Sequence, residues 1–197
     1  MRKLFAAALG LAVVAAAGFA PAAAEDKKEE PKIVVPYVPT HNKVVAAMLT
    51  LAAVKEGETV YDLGCGDGRI VIAAVKDFKA KKGLGIDFNP ERLKDCTKAV
   101  ADAKLTADQE KTLTFKQGDV LKMKADDFKD VDVVTLYLLP SVNRELKPVL
   151  QKGLKAGARV VSHDFDMGDD WKEDKKIEVE ADRTHTVYLW TIKGEKK

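Results

Sequence analysis

Tyr61-Asp62-Leu63-Gly64-Cys65-Gly66-Asp67-Gly68-Arg69 is the stretch on which the fold turns. It continues a short β-branched and aromatic run, Thr59 to Leu63, that reads as a strand. It precedes an apolar run, Ile70 to Val75, whose place after the glycines makes it a buried helix. Glycines at alternate positions permit a tight turn with positive φ and let a ligand lie against bare backbone. A phosphate-cradling P-loop needs Lys followed by Ser or Thr after its last glycine, and Arg69-Ile70 is not that. A dinucleotide fingerprint starting at Gly64 and Gly66 needs its third glycine at position 69, where Arg69 would obstruct close helix packing. What remains is D-x-G-x-G-x-G, with Asp62 before the turn and Asp67 inside it. Carboxylates there repel a pyrophosphate and suit a cationic ligand.

Outward from this loop, strands and helices alternate. Gly83 to Asp87 reads as a second strand, and Asn89-Pro90-Glu91 opens a helix with Asn as its cap and Pro in its first turn. That helix carries Leu93, Cys96, Ala99, Val100 and Ala103 on one face. Leu113 to Phe115 and Val131 to Leu136 are the third and fourth strands, Val142 to Leu154 is a helix, and Arg159 to Ser162 is the fifth strand. Ile177 to Ala181 and Thr186 to Ile192 flank Asp182-Arg183-Thr184 as a closing β-hairpin. Upstream, Pro36-Tyr37-Val38-Pro39 is held extended by its prolines, and Thr40 or Asn42 is expected to cap a helix burying Val44, Val45, Met48, Leu49 and Ala52. The pattern predicts an α/β fold, a mostly parallel seven-stranded sheet with a C-terminal hairpin and helices on both faces. Ligands bind such sheets at the carboxyl ends of the strands, near the switch in strand order. Asp87 stands at one of those ends, placed to accept hydrogen bonds from both hydroxyls of a ribose.

With Asp62, Asp67 and Asp87 in place, the chain from about Val38 to Ile192 resembles the class I S-adenosylmethionine-dependent methyltransferases, a Rossmann-like family, and VYDLGCGDGRI resembles that family's first motif. S-adenosylmethionine (SAM) carries a sulfonium and an ammonium, which suits the acids of the loop. The resemblance implies that Asp62, Gly64, Cys65, Gly66, Asp67 and Gly68 surround the cofactor, that Asp87 holds its ribose, that Phe88 packs on its adenine, and that Asp119 and Val120 complete the adenine site. PYVPTHNKVVAAML, GDGRIVIAA and TLYLLPSVNREL narrow the likeness to bacterial relatives of mitochondrial lysine methyltransferases, the group that includes the ATP synthase c-subunit lysine methyltransferase. The chain departs from that group at Cys65, in place of a serine, and at Ile86-Asp87-Phe88, in place of its tyrosine and glutamate. The implied activity is protein-lysine N-methylation. Methyl transfer is a displacement that needs alignment more than a strong base. Tyr137, on the substrate side with Leu138 and Pro140, is expected to orient the nucleophile, and Asp164 to assist it.

His163-Asp164-Phe165-Asp166 follows the fifth strand. His163, Asp164 and Asp166 could hold a cationic lysine or a metal, but the run also reads as a solvated acidic loop, and no metal is expected. Ser162-His163-Asp164 is excluded as a hydrolytic triad, because neighbours in a strand point to opposite faces. His41 and His185 are expected to be structural, and Cys96 to be core. A Cys65–Cys96 disulfide has nothing in the sequence to position it.

Residues 1–24 have two positive charges, an apolar run from Leu4 to Ala20, and Ala22-Ala23-Ala24 as an A-x-A cleavage site, the layout of a secretory signal peptide. Residues 25–32 are a charged linker, and the methyltransferase domain occupies residues 33–197. The chain is therefore expected to be exported, periplasmic or held to the membrane facing the periplasm, with membrane contact only through an uncleaved leader. Lys and Arg total 33 against 31 acids, and beyond Ala24 the counts are equal, so no nucleic-acid partner is expected. Two alternatives stay open: a small-molecule or lipid methyl acceptor, and a non-catalytic binding module that kept the fold, since SAM is made in the cytoplasm.

Overall fold

The computed structural model describes residues 37–194; the expected leader, linker and domain start at Ile33 lie outside the described residues. In chain order the elements are α1 (Asn42–Leu51), β1 (Thr59–Leu63), α2 (Arg69–Phe78), β2 (Lys82–Asp87), α3 (Pro90–Asp102), α4 (Ala107–Thr112), β3 (Leu113–Gln117), β4 (Val133–Leu136), α5 (Pro140–Gly153), β5 (Arg159–His163), β6 (Lys175–Glu180) and β7 (Thr184–Thr191), with two 3₁₀ turns at Val120–Lys122 and Ala125–Phe128. The seven strands form one sheet in the order β3-β2-β1-β4-β5-β7-β6. β1 to β5 run parallel and β7 is antiparallel to both β5 and β6.

Strand alternation divides the core into two layers. Val60, Val133 and Val161 face α1 and α2, meeting Val44, Met48, Leu49, Ile70 and Val71. Leu63, Val134, Leu136 and Val160 point the other way, onto Val142, Leu146 and Leu150 of α5 and onto Phe128 and Trp190. The central strands β1, β4 and β5 are buried along nearly their whole length because both faces are covered, whereas the edge strands β3 and β6 are not.

The chain's choice of caps differs from the expectation at one helix. α1 is capped by His41, whose Nδ1 accepts the Lys43 amide, while the Thr40 hydroxyl turns away to His163. Asn89 caps α3 as its sequence predicts. On α3 only Cys96 is buried; the rest of its apolar face is half-covered or exposed. α4 is an addition whose signal was present: Thr106 and Gln109 form a reciprocal capping box.

Strand order places the site. β2 and β4 lie on either side of β1, so the chain reverses its direction of winding there. Leu63 pairs with Ile86 on one side and Leu136 on the other, which brings the loops after β1, β2 and β4 to the same edge. At the opposite edge Arg159 binds α1 and the loop before β1 to β5. Its guanidinium donates to the Ala52 and Ala53 carbonyls, to the Asp132 carbonyl and to both oxygens of Glu58.

Candidate active site

A cavity of about 630 Å³ opens at the carboxyl ends of β1, β2 and β4. Asp62, Gly64, Cys65, Gly66, Asp67, Asp87, Phe88, Asp119, Val120 and Tyr137 all line it. The tertiary structure thus gathers residues spread over 76 positions of sequence onto one surface. Gly68 is the exception among the expected cofactor residues. It starts α2 with φ +78° and faces the core: an added Cβ would lie 2.8 Å from Phe115 Cζ and 3.2 Å from the Cys96 sulfur. Its role is to let α2 pack onto β3 and α3, not to touch a ligand. Gly68→Ala should therefore cost about 2–3 kcal/mol in urea unfolding, from a strained φ and an overpacked ring.

Asp62 and Asp67 behave differently. Asp62 is 2% exposed and lies opposite Thr135 in the β1–β4 register, whose hydroxyl donates to it at 2.7 Å. Burial raises its pKa to about 7 against the lowering by Thr135, with Asp87 and Asp67 adding to the rise. Asp67, expected to be a second carboxylate for a cationic ligand, is instead neutralised. The Arg69 guanidinium binds both of its oxygens, at 2.9, 3.1 and 2.6 Å, and its remaining nitrogen donates to the Thr40 carbonyl at 2.8 Å. Burial alone would raise the Asp67 carboxyl, but the Arg69 bonds and charge outweigh it and hold it below the usual range. Arg69, which rules out the dinucleotide fingerprint, is the clamp that fixes the loop to the segment before α1.

Asp87 is held at the mouth of the loop. One oxygen accepts the Gly66 amide at 2.8 Å and the other the Asn89 amide at 2.9 Å, so two of its roughly four acceptor positions remain. Asp119 accepts the Leu121 amide at 3.0 Å and opens the first 3₁₀ turn, which presents Val120 and Leu121 to the cavity that Phe88 also lines. Tyr37 lies over Gly66, where a Cβ would come within 2.5 Å of its ring, and Arg92 stacks on the same ring at 4.2 Å. Tyr37 belongs to the Tyr-Val-Pro stretch that carries the likeness; Arg92 does not stand out in the sequence, and only its place on the Tyr37 ring marks it. Cys65 and Cys96 are free, buried thiols. The Cys96 thiol donates to the Gly66 carbonyl at 3.1 Å, and the Cys65 thiol is pushed up by its bond with Cys96 and by burial, which leaves it un-ionised.

Tyr137, Leu138, Leu139, Val142 and Phe165 form an apolar part of the lining, with Leu138 packed on Gly64. Asp164 is not on the cavity surface. It lies behind Tyr137, 3.5 Å from the phenol oxygen. The Tyr137 hydroxyl is raised by burial and by the nearby Asp164 charge. Asp164 itself is held down: burial would raise it, but the Arg183 guanidinium and the Thr186 amide prevail. Buried Asn143 of α5 holds this loop, its amide nitrogen donating to Ser162 Oγ and to the carbonyls of Phe165 and Asp166.

Ser162 is thereby engaged away from His163, and no hydrolytic triad forms. Strand alternation, however, ends with β5 at His163. Asp164 lies past the end of β5 with φ +60°, a left-handed turn that brings its carboxylate within 3.4 Å of His163 Nε2. His185, expected to stand alone, is 2.8 Å from the same nitrogen. Asp166 is turned away and accepts the Gly168 amide. Burial lowers His163 to about 4, with Asp164 opposing, so its ring is neutral at pH 7.

The residues present fit SAM. Bare glycine backbone, an acid with free acceptor positions where a ribose diol would bind, the apolar side chains of Phe88 and Val120, and a buried acid for a cation all open on one cavity. With the strand order 3-2-1-4-5-7-6 they define a class I SAM-dependent methyltransferase. Residues 62–175 match the family model described as the ANTKMT methyltransferase domain, and the chain belongs to that family. It is 44% identical to the protein-lysine N-methyltransferase of Saccharolobus islandicus (strain REY15A), over 83% of this chain and 96% of that one. It is 31% identical to the adenine nucleotide translocase lysine N-methyltransferase of Mus musculus, over 83% of this chain and 66% of the relative. Among solved structures, an RNA methyltransferase from Salinibacter ruber in complex with S-adenosyl-L-homocysteine is 44% identical, with a TM-score of 0.70, over 81% of this chain and 97% of that one.

Proposed function

We propose that this protein transfers a methyl group from SAM to the ε-amino group of lysine in a protein. The observation that carries the reading is the apolar part of the cavity lining, Tyr137, Leu138, Leu139, Val142 and Phe165, which begins where Leu138 packs on Gly64 of the glycine loop. An aliphatic lysine side chain can lie along it, and poor solvation there favours the neutral amine that the reaction needs. When bound, SAM supplies an electrophilic methyl on its sulfonium. Tyr137 orients the amine through its phenol oxygen, with Asp164 behind it. Asp87 and the glycine backbone hold the other substrate, which is the alignment that an in-line displacement requires. Two relatives named for lysine methylation support the same acceptor. The even charge balance beyond Ala24 offers no excess of cations for an RNA backbone.

Incubation with methyl-labelled SAM, a lysine-rich protein extract and total RNA in parallel tests the acceptor. Label on lysine, read as mass increments on lysine-containing peptides, is expected; label in RNA alone would sink the assignment. Asp87→Ala should weaken SAM binding about 5- to 150-fold in calorimetric titration, through roughly 1–3 kcal/mol of lost charged hydrogen bonds. An unchanged affinity would remove Asp87 from the cofactor site.

The same proposal extends to export, which rests on the three-part layout of residues 1–24. Among the described residues no helix is long and apolar enough to cross a membrane. N-terminal sequencing of the secreted fraction should begin at Glu25. A chain that begins at Met1 and stays in the cytoplasm would end the export reading.

A further inference from the structure

We propose that His163, Asp164 and His185 form a binding site for a divalent transition metal of the zinc type. Three donor atoms converge without another chain or loop between them. His163 Nε2 lies 2.8 Å from His185 Nδ1, and Asp164 Oδ2 lies 3.4 and 3.5 Å from those two nitrogens. An ion bound tetrahedrally at about 2.0–2.1 Å from each ligand separates its donor atoms by about 3.3–3.5 Å. Two edges of the triangle already have that length, and the third opens by about half an ångström once an ion replaces the hydrogen bond between the rings.

The far sides of the ligands are held as a metal site requires. Metal-binding histidines use their second nitrogen on a carboxylate, hydroxyl or carbonyl, which sets ring orientation and tautomer. His185 Nε2 is 2.9 Å from Asp182 Oδ1, and His163 Nδ1 is 3.1 Å from the Thr40 hydroxyl. The other oxygen of Asp164 accepts the Thr186 amide at 3.0 Å. Both rings are buried, and the strained φ of Asp164 turns its carboxylate toward them. β5 and β7 are neighbours in the sheet with His163 opposite Val187, which places His185, two residues along β7, at the end of β5.

Two imidazoles and one carboxylate select borderline ions such as zinc over calcium or magnesium, which prefer oxygen. Without metal, hydrogen bonds run from Thr40 to His163 Nδ1, from His163 Nε2 to His185 Nδ1, and from His185 Nε2 to Asp182. Binding moves the His163 proton from Nε2 to Nδ1, where the Thr40 oxygen accepts it, so His163 releases no proton. It also displaces Arg183 from Asp164; that side chain is 53% exposed and is free to turn into solvent. Three protein ligands leave one position for water or another donor. Tyr137, whose ring stacks on His163 at 3.8 Å, separates this site from the cavity.

Chelator-treated protein titrated with zinc against a chromophoric competitor, and with cobalt(II) for its visible absorption, tests the site. One equivalent of zinc, and a cobalt spectrum of the intensity of a four-coordinate ion, are expected. His185→Gln and His163→Gln should each lower zinc affinity at least 100-fold, and Asp182→Asn 10- to 100-fold. SAM binding by the same preparations reports folding, and Asp182→Asn, at the surface, keeps the test available if a histidine variant does not fold. No stoichiometric uptake by a chain that binds SAM would overturn the proposal and leave a plain hydrogen-bonded histidine pair. Uptake unchanged in His185→Gln would overturn it too, as adventitious surface metal.

Discussion

Asp62→Asn should become more stable relative to the wild type as pH rises, by about 3 kcal/mol between pH 5 and pH 8. The sign follows from which state holds the proton. An unfolded chain releases the Asp62 proton near its ordinary value of 3.8, whereas burial keeps it on the folded protein up to about 7. Between those values the native state binds the extra proton, so each unit of rising pH weakens the wild type until the curve flattens above 7. Asparagine fills the same space, accepts from Thr135, and has nothing to ionise. His163, lowered to about 4, gives the opposite slope between about 4 and its ordinary 6.5, but it is common to both proteins and cancels in the difference. Urea unfolding of both proteins at pH 5 and 8 measures it; parallel stability curves would mean that Asp62 is ionised throughout. The same residue links pH to the cofactor. A cationic ligand favours the charged carboxylate, so wild-type affinity for SAM should rise through pH 7, and Asp62→Asn should bind more weakly with a flatter profile.

Arg159→Met should lower the unfolding free energy by about 3–5 kcal/mol. Arg159 and Glu58 are 15% and 17% exposed at their side chains and meet at 2.6 Å, far from the cavity. Methionine keeps much of the apolar stem but leaves Glu58 a poorly solvated charge without its partner. It also strips donors from the carbonyls of Ala52, Ala53 and Asp132. Most of the loss is the stranded acid, so Glu58→Met on top of Arg159→Met should restore a large part of it. SAM affinity per folded molecule should stay at the wild-type value, since neither residue touches the cavity. If the double variant is as unstable as the single one, the carbonyl contacts, not the ion pair, carry the stabilisation.

Much of the fold is legible because its signals are local. Asn89-Pro90 starts a helix by the geometry of two adjacent residues, and the apolar runs at Val131 to Leu136 and Arg159 to Ser162 mark strands buried on both faces. Even the overlooked α4 announced itself through Thr106 and Gln109, three positions apart. The cofactor side of the site is legible for a related reason: parallel strands end at one edge, so acids that follow strands must meet there.

His185 was opaque to such reading. Its partner His163 lies 22 positions away, and Thr40, which holds the other side of that ring, lies 123 positions from it. No periodicity links them; they meet because β7 inserts between β5 and β6 and turns antiparallel. Asp164 stands behind Tyr137 and beside His163 for a smaller reason, a single left-handed residue just beyond a strand.

The order of elements, the glycine turn and the acids at the strand ends follow from the sequence, because hydrophobic period, caps and turns act between neighbours along the chain. Tertiary structure alone decided which of those acids carry charge. Asp62 and Asp67 look alike in the motif. One is buried against Thr135 and holds its proton to about 7, and the other is clamped by Arg69 and held low. Burial and the position of a counter-charge set the ionisation of a carboxylate, and neither is a property of the chain before it folds.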